Sequence, residues 1–132
     1  MANAASLSAS SVAQTYVFGD KPLRGHRLGT FNAYLLAVVA MDDDLEPFAT
    51  IEPFMAARFG RRAYPLAIMR GLRELDRQGL VRTFLWVRRM QTDTFVRAKI
   101  YPQAWRTAQK RHWFQVTQRG IETLSAHPQG AA

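Results

Sequence analysis

Hydrophobic positions recur along this chain with two different periods. In "TFNAYLLAVVAM" (Thr30–Met41), Phe31, Leu35, Val38 and Val39 fall at helical spacing with Tyr34 and Met41 beside them. That spacing predicts a buried first helix, ended by the acidic run Asp42–Asp44. In "IEPFMAARFG", Phe54, Met55 and Phe59 supply the apolar side of a second helix. Thr50 is placed to cap it, Pro53 fits its first turn, and Gly60 is placed to end it in a left-handed conformation. A basic link, Arg61-Arg62-Ala63, leads to a third helix from about Tyr64, with Pro65 in its first turn and Gly79 as its stop.

The period then changes. "LVRTFLWVRR" (Leu80–Arg89) and "TFVRAKIY" (Thr94–Tyr101) alternate and are rich in β-branched and aromatic residues, which predicts a hairpin with the polar tip Met90–Asp93. The segment "PQAWRTAQKR" stays open between a loop and a helical turn or two. "HWFQV" resumes an extended pattern, and Thr117 caps a closing helix, "QRGIETLSA", whose Ile121 and Leu124 face inward.

Each helical residue turns the chain by roughly 100°. On that wheel Ile68, Leu72 and Leu75 form the core stripe of the third helix, and Arg70, Arg73 and Arg77 fall on the opposite face. Ala67 lies beside the arginines, Glu74 at their margin and Asp76 at the flank. Gly71 borders the core stripe, where its cost in helix stability is accounted for by a tightly packed neighbouring helix. On the hairpin, alternation sends Leu85, Val87, Val96, Ala98 and Ile100 toward the helices. The other side collects Arg82, Phe84, Trp86, Arg88, Phe95, Arg97, Lys99 and Tyr101.

Charge sharpens this picture. The net charge of +8 is unevenly spread: residues 1–57 carry 3 basic and 6 acidic side chains, residues 58–111 carry 14 and 3, and residues 112–132 one of each. Arginines number 15 against 3 lysines, which favours planar, bidentate contacts to phosphate or base edges over mere solubility. The competing account is a solvated basic surface, where exposed Arg–Glu pairs add little stability; for Arg73 and Arg77, pairing with Glu74 and Asp76 is a further alternative. An α-helix with an arginine face fits the major groove, where its N-terminal part reaches base edges. Tyr64, Ala67 and Arg70 are thus expected at bases, with Arg61 and Arg62 in the basic turn beside them, and Arg73 and Arg77 at phosphates. The outward hairpin face has three readings. It grips DNA backbone through Arg88 and Arg89 near the tip, it stacks unpaired bases, or its aromatics are covered by another segment or subunit; the first is expected for the tip and the third for the aromatics.

"FMAARFG" followed by "LAIMRGLRELDRQGLV" resembles the helix-turn-helix of winged-helix transcription regulators, and "FQVTQRGIETL" resembles their strand-to-helix ending. The PadR-like and MarR-like groups are the nearest comparison, over Thr30 to Ala126. The chain between Gly60 and Gly79 is slightly longer than the common pattern, which predicts an unusual turn. The resemblance implies an α+β, mainly helical fold, a winged helix-turn-helix with a three-helix core, a β-hairpin wing and a C-terminal helix. It places that domain at residues 28–126, behind a flexible N-terminal arm (1–27) and before a short tail (127–132). It implies a sequence-specific, double-stranded DNA-binding transcriptional regulator, a repressor acting as a homodimer. The recognition residues would be Arg61, Arg62, Tyr64, Ala67, Arg70, Arg73 and Arg77, and the wing residues Arg88, Arg89, Thr92, Arg97 and Lys99. The alternatives are a protein-interaction module with an acidic partner, or a binder of RNA or single strands.

Other classes find little support. The histidines (His26, His112, His127) are far apart, no carboxylate pair or nucleophile motif accompanies them, and "GDKPLRGHRLG" has the wrong glycine spacing for a phosphate loop. The chain is therefore expected not to be an enzyme and to use no cofactor or metal, and the Asp42–Asp44 run is expected to be a solvated turn. Any small-molecule effector is left open. The longest apolar run, Ala33–Met41, is far shorter than the roughly 20 residues of a membrane span. With Cys 0, no disulfide framework is possible. A cytoplasmic protein, nucleoid-associated in a bacterial host, is the resulting expectation.

Overall fold

Apolar residues on every side of Thr30–Ala40 make this helix, α1, the axis of the fold. All residues from Ala33 to Ala40 are buried, as a helix hydrophobic all round must be. The computed structural model describes residues 13–14, 17, 27–42, 44–89, 92–99 and 112–126. Around α1 stand α2 (Phe48–Phe59), a 3-10 turn (Gly60–Arg62), α3 (Pro65–Arg77) and α4 (Gln118–Ala126). A two-residue strand β1 (Glu46–Pro47) joins β2 (Val81–Arg89), β3 (Thr92–Arg97) and β4 (His112–Val116) in an antiparallel sheet of order β1-β4-β2-β3. The class is therefore α+β. Ala13 is fully buried in the core and Val17 packs against it, so the segment expected as a flexible arm contributes to the interior. The sequence reading of residues 1–12, 15–16, 18–26, 43, 90–91, 100–111 and 127–132 lies outside the described residues.

The start of α2 differs from expectation. Its N-cap is Pro47, the extended last residue of β1, and Thr50 is already inside the helix. The Thr50 hydroxyl instead bonds the Glu46 carboxyl. Pro53 lies in the second turn, not the first, and removes the backbone bond that residue 53 would donate to Ala49. Gly60 has a positive φ of 60°, but its ψ of −134° lies outside the left-handed helical well. It opens the 3-10 turn Gly60–Arg62 that precedes α3.

The end of α3 follows the expected chemistry. Gly79, at φ 76°, lets its own N–H reach the Asp76 carbonyl at 2.9 Å and the Leu80 N–H reach the Leu75 carbonyl at 2.9 Å. Leu75 and Leu80, both fully buried, seal this cap. The same loop holds α4. Thr117 donates its N–H to the Leu80 carbonyl (3.0 Å) and its hydroxyl to the Gly79 carbonyl (2.6 Å), while that hydroxyl accepts the Gly120 N–H (3.0 Å). Thr117 is thus the N-cap expected from sequence and also the clamp between α3 and α4.

The hairpin keeps its predicted alternation over residues 82–97 and shifts its ends. Leu85, Val87, Val96 and Ala98, expected to cover the helices, are half-buried and are not among the residues packed on the core. Pairing runs through Arg88↔Asp93 and Arg89↔Thr92, so β3 starts at Thr92 and only residues 90 and 91 separate the strands. Strand β4 does not follow at the outside of the hairpin. It inserts between β1 and β2, with Phe84 opposite Trp113 and Thr83 opposite Phe114.

Candidate nucleic-acid interface

Helix α3 is amphipathic in the strict sense. Ile68, Met69, Leu72 and Leu75 are fully buried, and Arg70, Arg73 and Arg77 are exposed on the other side. Gly71 is the contact that sets α3 so close to α1. A Cβ there would lie 2.7 Å from Leu35 Cδ2 and 2.8 Å from Asn32 Oδ1. The neighbouring helix inferred from this glycine is therefore α1.

The acidic residues of α3 divide its arginines. Arg77 lies 3.4 Å from Glu74, which also accepts a hydrogen bond from the Gln78 side chain at 3.0 Å. This pair is exposed and contributes a few tenths of a kcal/mol. For Arg77 the structure thus shows the pairing with Glu74 that was expected as the alternative to a phosphate contact. Asp76 does not serve the helix arginines at all. It accepts the Thr83 hydroxyl at 2.6 Å and faces Arg97 at 3.7 Å. Among the described residues, Arg70 and Arg73 are exposed and have no acidic partner, and the pairing of Arg73 with Glu74 or Asp76 is not formed.

The turn before α3 adds two more guanidinium groups. Arg61 and Arg62 are exposed in the 3-10 turn, and Arg62 lies over the Phe59 ring at 5.6 Å. That ring packs on Phe31 at 5.0 Å and edge-on to Tyr34 at 5.5 Å, so the turn is held by an aromatic cluster on α1. Tyr64 is the N-cap residue of α3 and is 49% exposed. Between the turn, α1 and the N-terminal half of α3 lies an open cleft of about 500 Å³, lined by Phe31, Asn32, Arg62, Tyr64, Ala67, Arg70 and Gly71. Tyr64, Ala67 and Arg70, expected together at base edges, do share one concave surface. Phe31 and Asn32 also belong to it. No spacing rule on α3 points to them, because they arrive from α1 through the Gly71 contact.

The hairpin residues are less uniform than their sequence suggests. Arg97 is a brace: its guanidinium donates to the Thr83 carbonyl at 3.2 Å, faces Asp76, and covers the Phe84 ring at 5.7 Å. It ties β3 to the C-terminal end of α3, so this residue, expected as a wing contact, also braces the fold. Arg88 is exposed but stands directly across from Asp93 on the same face, so part of its charge is offset. Lys99 is exposed just past β3. Arg89 and Thr92 are backbone partners at the strand ends, and their side chains lie outside the described residues.

His112, by contrast, is buried and stacks on Phe114 at 6.2 Å. Among the described residues, no group of three or more His, Cys, Asp or Glu side chains could hold a metal ion, and no helix is long and apolar enough to cross a membrane. Comparison with known proteins finds no matching family model, no matching curated protein and no matching solved structure.

Proposed function

We propose that this chain is a winged-helix, sequence-specific regulator that binds double-stranded DNA, with α2, the 3-10 turn and α3 as its helix-turn-helix and the β2–β3 hairpin as its wing. The observation that carries the reading is the pair Arg70 and Arg73, exposed opposite the core of α3 without an acidic partner among the described residues, and flanked by Arg61 and Arg62. Arg70 and Tyr64, at the N-terminal half of α3, take the base edges, and Arg61, Arg62 and Arg73 take phosphates. Action as a homodimeric repressor in the cytoplasm, by occupying an operator, rests on the sequence resemblance. Two copies related by a two-fold axis would read half-sites about 34 Å apart.

The three arginines at phosphates, Arg61, Arg62 and Arg73, set the salt dependence. A slope of about −2.7 in log affinity against log salt lowers binding about 40-fold between 50 and 200 mM. Fluorescence anisotropy with a pool of duplexes, and with sites selected from it, measures this directly. Arg70→Ala should flatten the preference among duplexes, at a cost of about 1–3 kcal/mol on the preferred site. Wild-type protein with no salt-sensitive duplex binding would end the proposal.

A further inference from the structure

The outward face of the sheet has a property the α3 reading does not use. Trp86 and Phe95 are cross-strand partners on β2 and β3, and they are 38% and 39% exposed. Trp113 on β4 meets Phe95 edge-on, with ring centroids 5.3 Å apart and planes at 71°. Phe84 differs, because the Arg97 guanidinium lies over its ring. Three rings of three strands thus form one aromatic surface, two of them open to solvent.

We propose that this face is a stacking platform for the unpaired bases of single-stranded nucleic acid. Its charge selects that occupant. Arg82 and Arg88 are exposed on β2 on either side of the Phe84–Trp86 stretch, and Lys99 is exposed just past the end of β3. Asp93 is the acidic residue on this face among the described residues. Flat π surfaces interleaved with cations match a polymer whose flat bases alternate with phosphates. An apolar protein partner has no need of the cations, and an acidic one has no need of the rings. A duplex does not satisfy the face either, since its base faces are stacked against one another and hidden. The site is separate from α3 and stands or falls independently of duplex binding.

Two measurements on the full chain test it. A short oligothymidylate is titrated while intrinsic tryptophan fluorescence and the anisotropy of a labelled oligonucleotide are followed. Saturable quenching that weakens with salt is expected, because a base over Trp86 removes its ring from water. Trp86→Ala and Phe95→Leu should each weaken binding about tenfold. Phe95→Leu keeps the apolar bulk and removes only the π face, and this smaller change at a 39% exposed site is expected to leave the fold intact even if Trp86→Ala does not. Arg70→Ala should leave oligothymidylate affinity unchanged, so failure here is distinguishable from failure of the duplex reading. The proposal is overturned by absence of salt-sensitive oligothymidylate binding, or by unchanged affinity in Phe95→Leu. It is also overturned by a dimer that Phe95→Leu dissociates, which would give the face to a second copy of the chain.

Discussion

Replacing Glu46 by glutamine should stabilise the protein above pH 7 and change it little near pH 5. Glu46 is 7% exposed on β1, opposite Phe114. Burial raises its pKa first and the nearby Asp42 carboxylate second, against the Thr50 hydroxyl bond, so that it is pushed up from 4.5 to about 7. Below about pH 4.5 the group is protonated in both folded and unfolded chains and costs nothing. Between 4.5 and 7 the unfolded chain gives up its proton and the folded one keeps it, so stability falls as pH rises, at about 1.4 kcal/mol per pH unit. Above 7 the full loss, about 3 kcal/mol, has been incurred. The glutamine side chain can take part in a hydrogen bond with Thr50 and has no proton to lose. Urea unfolding of wild type and Glu46→Gln at pH 5, 6, 7 and 8.5 reads the effect as the difference between two curves. Contributions from other groups cancel in that difference. Asp42→Asn should move the wild-type decline to lower pH, since it removes the second cause. A difference between wild type and Glu46→Gln that stays constant across this range would refute the reasoning.

Two glycines in helices should answer differently to alanine. At Gly120 the added Cβ would collide with the Leu80 carbonyl, a backbone atom that already accepts the Thr117 N–H, and would lie 2.9 Å from Val116 Cγ2. Gly120→Ala should cost about 2–4 kcal/mol in urea unfolding despite the gain in helix propensity. At Gly71 the same Cβ meets the ends of the Leu35 and Asn32 side chains, which can swing away, so the net cost should stay below about 2 kcal/mol. Arg73→Ala should lower the salt slope of duplex binding by about 1 and leave stability unchanged, whereas Arg97→Ala should lower stability by about 0.5–1 kcal/mol with little effect on the slope. A change in slope for Arg97→Ala equal to that for Arg73→Ala would contradict its role as a brace.

Local rules account for much of what was legible in advance. Proline at the first turn of α3, the Gly79 cap, the Thr117 cap and the alternation of the hairpin all depend on backbone geometry within a few residues. The pattern of the chain carries that information directly. The opposed leucine and arginine faces of α3 follow from the helical period in the same way, and Gly71 pointed correctly to a close neighbour.

What the pattern left undecided involves partners distant in sequence. The chain alone placed Arg70, Arg73 and Arg77 on one helix face and Arg97 on the wing, all of them as expected nucleic-acid contacts. The fold divided them, because Asp76 turned toward Thr83 and Arg97 across the strand connection while Glu74 reached Arg77. Strand β1 escaped notice because two residues have no period, and they become a strand only when β4 is laid beside them. The cleft is likewise a tertiary product, since Phe31 and Asn32 meet the arginines through the packing of α1 on α3. Sequence by itself determined which faces are apolar and where helices stop, because those depend on neighbours within one or two turns. Tertiary structure decided which charges remain free to meet a ligand, because a carboxylate can neutralise any arginine that folding brings within a few ångströms.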